Sequence, residues 1–151
     1  MTPKVPRASD QEDLLTAIRA ANRALDDLLR RSVAGFDLLP AEYRALARIA
    51  RNEVDRPITL SRSLGITPAA TTDLLDRLEG RGWLRRVPNP GDRRSFLLEI
   101  TPRGLRKFAA ARRAYRTALL RSSGGMTPEG RGALLRGLVE FQRVLVAARA
   151  R

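Results

Sequence analysis

Residues 89–94 read Asn-Pro-Gly-Asp-Arg-Arg, which places Asp92, Arg93 and Arg94 at the tip of a turn. Asn-Pro-Gly-Asp is good turn chemistry, with Pro fixing φ and Gly accepting φ > 0, and two arginines would also keep a hairpin soluble. Guanidiniums at such a tip recognise anions and do not make or break bonds. The rest of the chain agrees. It has no Cys and no His, which removes thiol nucleophiles, imidazole bases and nearly every zinc site. The close acid groupings, Asp26-Asp27 and Asp73 with Asp76, fall on amphipathic helical segments as solvated faces, with no Gly-rich phosphate loop nearby. The sequence therefore predicts no enzyme, no metal and no cofactor.

Charge extends the same theme. The net charge is +13, and the excess is concentrated: residues 81–121 carry 12 Lys or Arg against 2 acids, while residues 1–80 carry 12 against 12. A stretch this basic reads as a surface for nucleic acid or another acidic partner. A general preference for Arg is the bland alternative, since Lys occurs only at positions 4 and 107. It accounts for Arg over Lys and leaves the scarcity of acids unexplained. No apolar run has the length of a membrane span, and residues 1–15 lack the apolar stretch of a secretion signal, so a cytoplasmic protein without a membrane partner is expected.

The elements that must position this turn are mostly helical. Residues 1–9 read as a flexible tail, and a single domain is expected over 10–151. A helix from Ser9 or Asp10 carries Leu14, Ile18, Ala21, Leu25 and Leu28 at spacings of 4, 3, 4, 3, the narrow stripe of a helix packing on a helix, and Gly35 can stop it. Pro40 opens a second helix that ends near Asn52, and Pro57 precedes a third over Ile58–Leu64. Gly65 suits a tight turn plugged by Ile66; Thr67 caps the next helix and Pro68 takes its first position. On that helix Ala70, Leu74, Leu75 and Leu78 are expected to face inward, and Ala69, Thr72, Asp73 and Asp76 outward. Strands are expected at Trp83–Val87 and Ser95–Ile100, followed by helices after Thr101-Pro102 and Thr127-Pro128. The last helix repeats the 4, 3, 4, 3 stripe with Leu134, Leu138, Phe141, Leu145 and Ala148.

Three short helices, a tight Gly turn, a capped helix with a small outer face and a basic hairpin form the order of a winged helix-turn-helix, in a mainly α (α+β) fold. Small residues such as Ala69 and Thr72 let a helix approach the floor of the major groove. An ordinary helical hairpin would explain the turn and cap alone, but not the basic hairpin directly downstream.

In these motifs the sequence resembles the MarR-type bacterial regulators, from about Asp10 to the C-terminus. Their wing signature, Asp-x-Arg with Leu-Thr after five further residues, is matched by Asp92, Arg94, Ile100 and Thr101, with Ile100 replacing Leu. The segments TPAATTDLLDRLEGRGWLRR and MTPEGRGALLRGL are similar to theirs as well. The resemblance implies a homodimer joined by long terminal helices, 10–34 and 102–149, with a winged helix-turn-helix over 39–101. It implies that Arg94 enters the minor groove, that Asp92 braces the wing by ion pairing, that Arg93 makes a neighbouring contact, and that Arg77 meets a phosphate. An intrahelical pair with Asp73 is the alternative for Arg77. The DNA-facing set is then Thr67, Pro68, Ala69, Thr72, Asp73, Arg77, Arg93 and Arg94. Asp73 departs from the family's usual neutral or basic residue; it either accepts a hydrogen bond from cytosine N4 or repels phosphate.

The function expected on this basis is a sequence-specific DNA-binding regulator, a repressor released by a small-molecule effector, acting on a pseudo-palindromic operator. The other reading is an architectural or adaptor protein that binds DNA without responding to a ligand. Family effectors lie between the dimerisation helices and the winged domain, for which Trp83, Phe108, Arg112 and Tyr115 are candidate lining residues, with plain core or solvated surface as the alternative for each. Arginines 106, 112, 113 and 116, with Lys107, favour a small anionic aromatic ligand.

Overall fold

The structure is a computed structural model that describes residues 8–149. It contains six helices and one two-stranded antiparallel sheet among the described residues: α1 (Ala8–Ala34), α2 (Pro40–Ala50), α3 (Pro57–Leu64), α4 (Pro68–Gly80), β1 (Leu84–Asn89), β2 (Asp92–Ile100), α5 (Pro102–Ser123) and α6 (Pro128–Arg149). Positions 1–7 of the expected tail lie outside the described residues, and α1 already includes Ala8 and Ser9. Two compact units divide the chain, 1–115 and 116–151, with the boundary inside α5. The sequence-based division, which grouped all of 102–149 with α1, does not coincide with that boundary.

The helix starts follow one recipe. Thr67, Thr101 and Thr127 each accept a hydrogen bond on Oγ1 from the amide three residues on, at 3.2, 3.0 and 3.1 Å, and each is followed by Pro at the first helical position. That satisfies one of the amides a helix start leaves without a partner. Leu39 has no such side chain, and the first turn of α2 is closed from the other direction: the Leu39 amide donates to Oε2 of Glu42 at 2.9 Å.

The core belongs to the first unit. Leu29 and Val33 of α1, Leu46 of α2, Leu60 of α3, Leu74, Leu75 and Leu78 of α4, Trp83, Leu84 and Leu98 of the hairpin, and Phe108 and Ala111 of α5 are all buried together. On α4 the inward set is Thr71, Leu74, Leu75 and Leu78, whereas Ala70 is exposed. This corrects the expected inward Ala70: a spacing of 3, 4, 7 from Thr71 keeps one helical face, and Ala70 sits about 100° off it. Burial of Thr71 is tolerated because its hydroxyl donates to the Thr67 carbonyl at 2.9 Å.

Gly104 explains how α5 reaches this core. A Cβ at that position would lie 1.9 Å from the Trp83 carbonyl oxygen, so the helix backbone and the start of the hairpin touch where no larger residue fits. Around the contact, the Thr101 amide donates to the Trp83 carbonyl at 3.1 Å and the Thr101 hydroxyl to the Gly82 carbonyl at 2.7 Å. A further backbone bond, from the Leu98 amide to the Asp55 carbonyl at 2.8 Å, ties the α2–α3 loop to β2.

Candidate nucleic-acid interface

The helix-turn-helix is assembled from α3, a turn and α4. Gly65 takes φ 66°, ψ 33°, the left-handed conformation that lets α3 end within one residue. The Ser61 hydroxyl then donates to the Ile66 carbonyl at 2.7 Å and stiffens the turn from inside. Beyond it Thr67, Pro68, Ala69, Ala70, Thr72 and Asp73 are all exposed, giving the first two turns of α4 a low, mostly uncharged surface. The exposed Thr72 turns its hydroxyl back to the Pro68 carbonyl, to which it donates at 3.1 Å.

Arg77 makes its resting contact on another helix and not with the intrahelical alternative weighed for it. It does not pair with Asp73; its Nε donates to Oε1 of Glu42 at 3.2 Å. Glu42 is fully buried, and its other oxygen accepts from the Leu39 amide and, at 3.4 Å, from Nη1 of Arg81. Arg81 also donates to the Asp37 carbonyl at 2.7 Å and lies 5.0 Å from the centre of the Trp83 ring, with Lys107 5.1 Å from the same ring. A buried carboxylate with these partners is an anchor point for α4. Sequence reasoning missed Glu42. Its position three residues after the cap was a legible sign, but the usual pattern requires Ser, Thr, Asp or Asn at the cap, and Leu39 stands there.

A second anchor joins α4 to the wing. Arg86 of β1 donates to Asp76 Oδ1 at 2.7 Å and to Glu79 Oε2 at 2.6 Å, and its own amide donates to Glu79 Oε1 at 2.9 Å. The Phe96 ring lies 5.5 Å from its guanidinium, and its buried Nε has no partner among the described residues. The strands thus grip the solvent side of the last turns of α4.

The hairpin itself is longer and tighter than expected. The strands run on to Asn89 and from Asp92, leaving Pro90-Gly91 as the loop. Positive φ is confined, among the described residues, to Asp37, Asn52, Gly65 and Gly82, so Gly91 does not use the left-handed region. The buried Asn89 supplies the turn instead: its Oδ1 accepts from the Gly91 amide at 3.0 Å and its Nδ2 donates to the Ser95 hydroxyl at 3.0 Å. The register jumps from Pro88 opposite Phe96 to Asn89 opposite Asp92, so residues 93–95 form a bulge outside the ladder. Arg94 is exposed there. The side chain of Arg93 lies outside the described part of the structure. Asp92 holds the bulge through its backbone: Oδ1 accepts from the Arg94 amide at 3.0 Å, and its carbonyl accepts from the Ser95 hydroxyl at 3.1 Å. These hydrogen bonds are the contacts that Asp92 makes among the described residues.

Of the four residues expected to line a ligand site, Phe108, Arg112 and Tyr115 lie around Tyr43. Trp83 and Phe108 belong to the core, Arg112 is exposed, and Tyr115 lines an open crevice of about 620 Å³ with Tyr43, Arg44 and Arg48 of α2 and Arg51 just past its end. The Tyr43 ring packs on Phe108 at 5.5 Å and edge-on to Tyr115 at 6.0 Å. Burial, reinforced by Tyr115, pushes the Tyr43 phenol above its ordinary pKa, against the pull of Arg51 and Arg112. Arg44 pairs with Asp26, and Glu53 accepts from Arg48 at 2.6 Å and lies 3.6 Å from Arg51.

A tight helix-turn-helix followed by a basic hairpin clamped to its second helix defines the winged helix-turn-helix class. Residues 38–96, which span α2 through β2, match the model of the MarR family. The chain is 33% identical over 87 residues to the multiple antibiotic resistance protein MarR of Salmonella typhimurium, and that match spans 58% of this chain and 60% of the relative. It is 31% identical over 114 residues, 76% of the chain and 71% of the relative, to the uncharacterised HTH-type transcriptional regulator YfiV of Bacillus subtilis. The transcriptional repressor CouR, solved on a 23-mer DNA duplex, is 28% identical with a TM-score of 0.75 over 92% of this chain and 99% of that one. The chain belongs to the MarR family of transcriptional regulators. Among the described residues no helix is long and apolar enough to cross a membrane.

Proposed function

We propose that the protein is a homodimeric repressor that binds a pseudo-palindromic operator, with α4 in the major groove and the wing in the minor groove, and that a small anionic aromatic molecule releases it. The observation that carries this reading is the pairing of two surfaces on one clamped frame: the small, exposed start of α4 and the bulged wing tip with Arg94. In this reading Thr67, Pro68, Ala69, Thr72 and Asp73 approach base edges and phosphates, and Arg77, Arg93 and Arg94 supply the cations. Arg94 in a narrow groove gains from its concentrated negative potential. The half-exposed leucines of α6 and of the first half of α1 support the dimer, because apolar surface of this extent calls for a partner.

For release, the crevice beside Tyr43 and Tyr115 offers two phenols and a row of arginines, which suits a flat acid. The test is selection of sites from a random duplex pool followed by mobility-shift titration with a panel of aromatic carboxylates. Dyad-symmetric sites and release by one or more acids are expected. Asymmetric sites would remove the dimeric reading, and binding indifferent to every acid would favour a DNA-binding protein without an effector.

A further inference from the structure

We propose that Glu42, a residue of α2 outside the expected DNA-facing set, is the positioning residue that aims Arg77 at a backbone phosphate. The inference rests on the reading of α4 as the DNA-reading helix. Three observations carry it. Glu42 is fully buried, whereas its two guanidinium partners on α4 and its C-terminal end are partly exposed, Arg77 at 46% and Arg81 at 34%. The carboxylate is held from behind by the Leu39 amide, so it is fixed relative to α2 and cannot follow a moving Arg77. And it takes only Nε of Arg77; among the described residues the two terminal nitrogens donate to no protein acceptor. A guanidinium has five donors in a rigid fork. With Nε occupied and the plane set, the outer edge, which carries the donors that pair with two phosphate oxygens, faces a fixed direction.

Charge makes the proposal falsifiable by sign. Removing the negative charge of Glu42 raises the net positive charge of the DNA-binding unit, and long-range electrostatics alone would then tighten binding to DNA. Loss of aim acts the other way, because Arg77 on a free side chain must be ordered anew at each encounter. Glu42→Gln preserves shape: its amide oxygen still accepts from the Leu39 amide, but its NH2 meets Arg77 donor to donor.

The experiment measures affinity for a duplex enriched from a random pool by the wild-type chain, over a series of salt concentrations, for wild type, Glu42→Gln, Arg77→Ala, Arg77→Lys and the Glu42→Gln/Arg77→Ala double variant. Glu42→Gln is expected to weaken binding about tenfold, within the range of couplings between contacting residues, and the effect should vanish in the Arg77→Ala background. Both Glu42→Gln and Arg77→Ala should lower the salt slope by about one phosphate contact. Arg77→Lys keeps the charge but not the fork, and should behave like Arg77→Ala even if Glu42→Gln folds poorly. Tighter binding by Glu42→Gln, an equal loss in both Arg77 backgrounds, or a fully active Arg77→Lys overturns the proposal while leaving α4 as the reading helix. Unchanged affinity in Arg77→Ala overturns both the proposal and the phosphate role of Arg77, and failure to enrich any duplex overturns the DNA-binding reading itself.

Discussion

The two units of the chain treat apolar side chains in opposite ways. Among the described residues, every buried core residue lies between Leu29 and Ala111, in the unit that holds the winged helix-turn-helix, while α6 presents Leu134, Leu138 and Leu145 about half exposed and has no buried side chain. Leu14 and Leu25, before the last turns of α1, are exposed in the same way, and Leu29 and Val33 in those last turns are buried. One end of α1 is therefore part of a finished core and the other shares the condition of α6. Leu29 and Val33 stand outside the 4, 3, 4, 3 stripe of α1, whose members are exposed or half-buried as those of α6 are.

Deleting the chain from Thr127 tests that contrast most severely. The first unit keeps its core and should still melt cooperatively, while sedimentation should show a monomer. Operator affinity should fall by roughly 10³-fold, because two linked half-site contacts become one. A truncated chain that remains dimeric, or one that loses its folded spectrum, would show that the units are not unequal in this way.

Gly104→Ala attacks the finished core from the other side. The new Cβ would meet the Trp83 carbonyl at 1.9 Å, a backbone atom that cannot turn aside. The loss of stability should be about 3 kcal/mol, at the upper end of overpacking costs, and readable in denaturant midpoints. A variant as stable as wild type would mean that α5 is not seated against the hairpin as described.

These two tests also mark what the sequence made legible. Helix starts were readable because Thr-Pro pairs carry their own physics, a hydroxyl acceptor and a preset φ, within three residues. The strand pair and its turn were readable from composition, yet the ladder reached Asn89 and Asp92 because the Asn89 side chain does the work assigned to Gly91. Gly104 carries no local sign of its role, since its constraint comes from Trp83, twenty-one residues earlier. Glu42 and Arg86 escaped for the same reason: each acts through partners on another element, at separations no local pattern encodes. The inward Ala70 was a one-residue slip that only the polar but satisfied Thr71 could have corrected.

Arg94→Ala moves the comparison to function, since the wing tip adds nothing to the core. It should weaken operator binding by about 1–3 kcal/mol and flatten preference at the flanks, with no change in melting temperature. Equal affinity and footprint at fixed salt would remove the wing from the interface.

The smallest effect concerns Tyr43, where the core meets the crevice. Its pKa is raised, chiefly by burial and then by Tyr115, so the folded chain holds the phenolic proton more tightly than the unfolded chain. Unfolding then releases a proton where the two states differ, and stability falls as pH rises. The contribution is complete below the ordinary tyrosine value near 10 and is lost as pH climbs through the raised folded value. Other basic groups titrate in that range, so the expected result is a difference: denaturation of Tyr43→Phe should show a shallower alkaline decline than wild type, with parallel curves below about pH 9. Identical slopes above pH 10 would mean that the phenol is not desolvated. At neutral pH the Tyr43 phenol is protonated, as an ordinary tyrosine is, and Arg44, Arg48 and Arg51 lie along the crevice it lines. An O–H donor beside guanidiniums favours a carboxylate over a neutral or cationic ligand, so Tyr43→Phe should also weaken any aromatic acid that releases DNA, and should leave operator affinity without the acid unchanged.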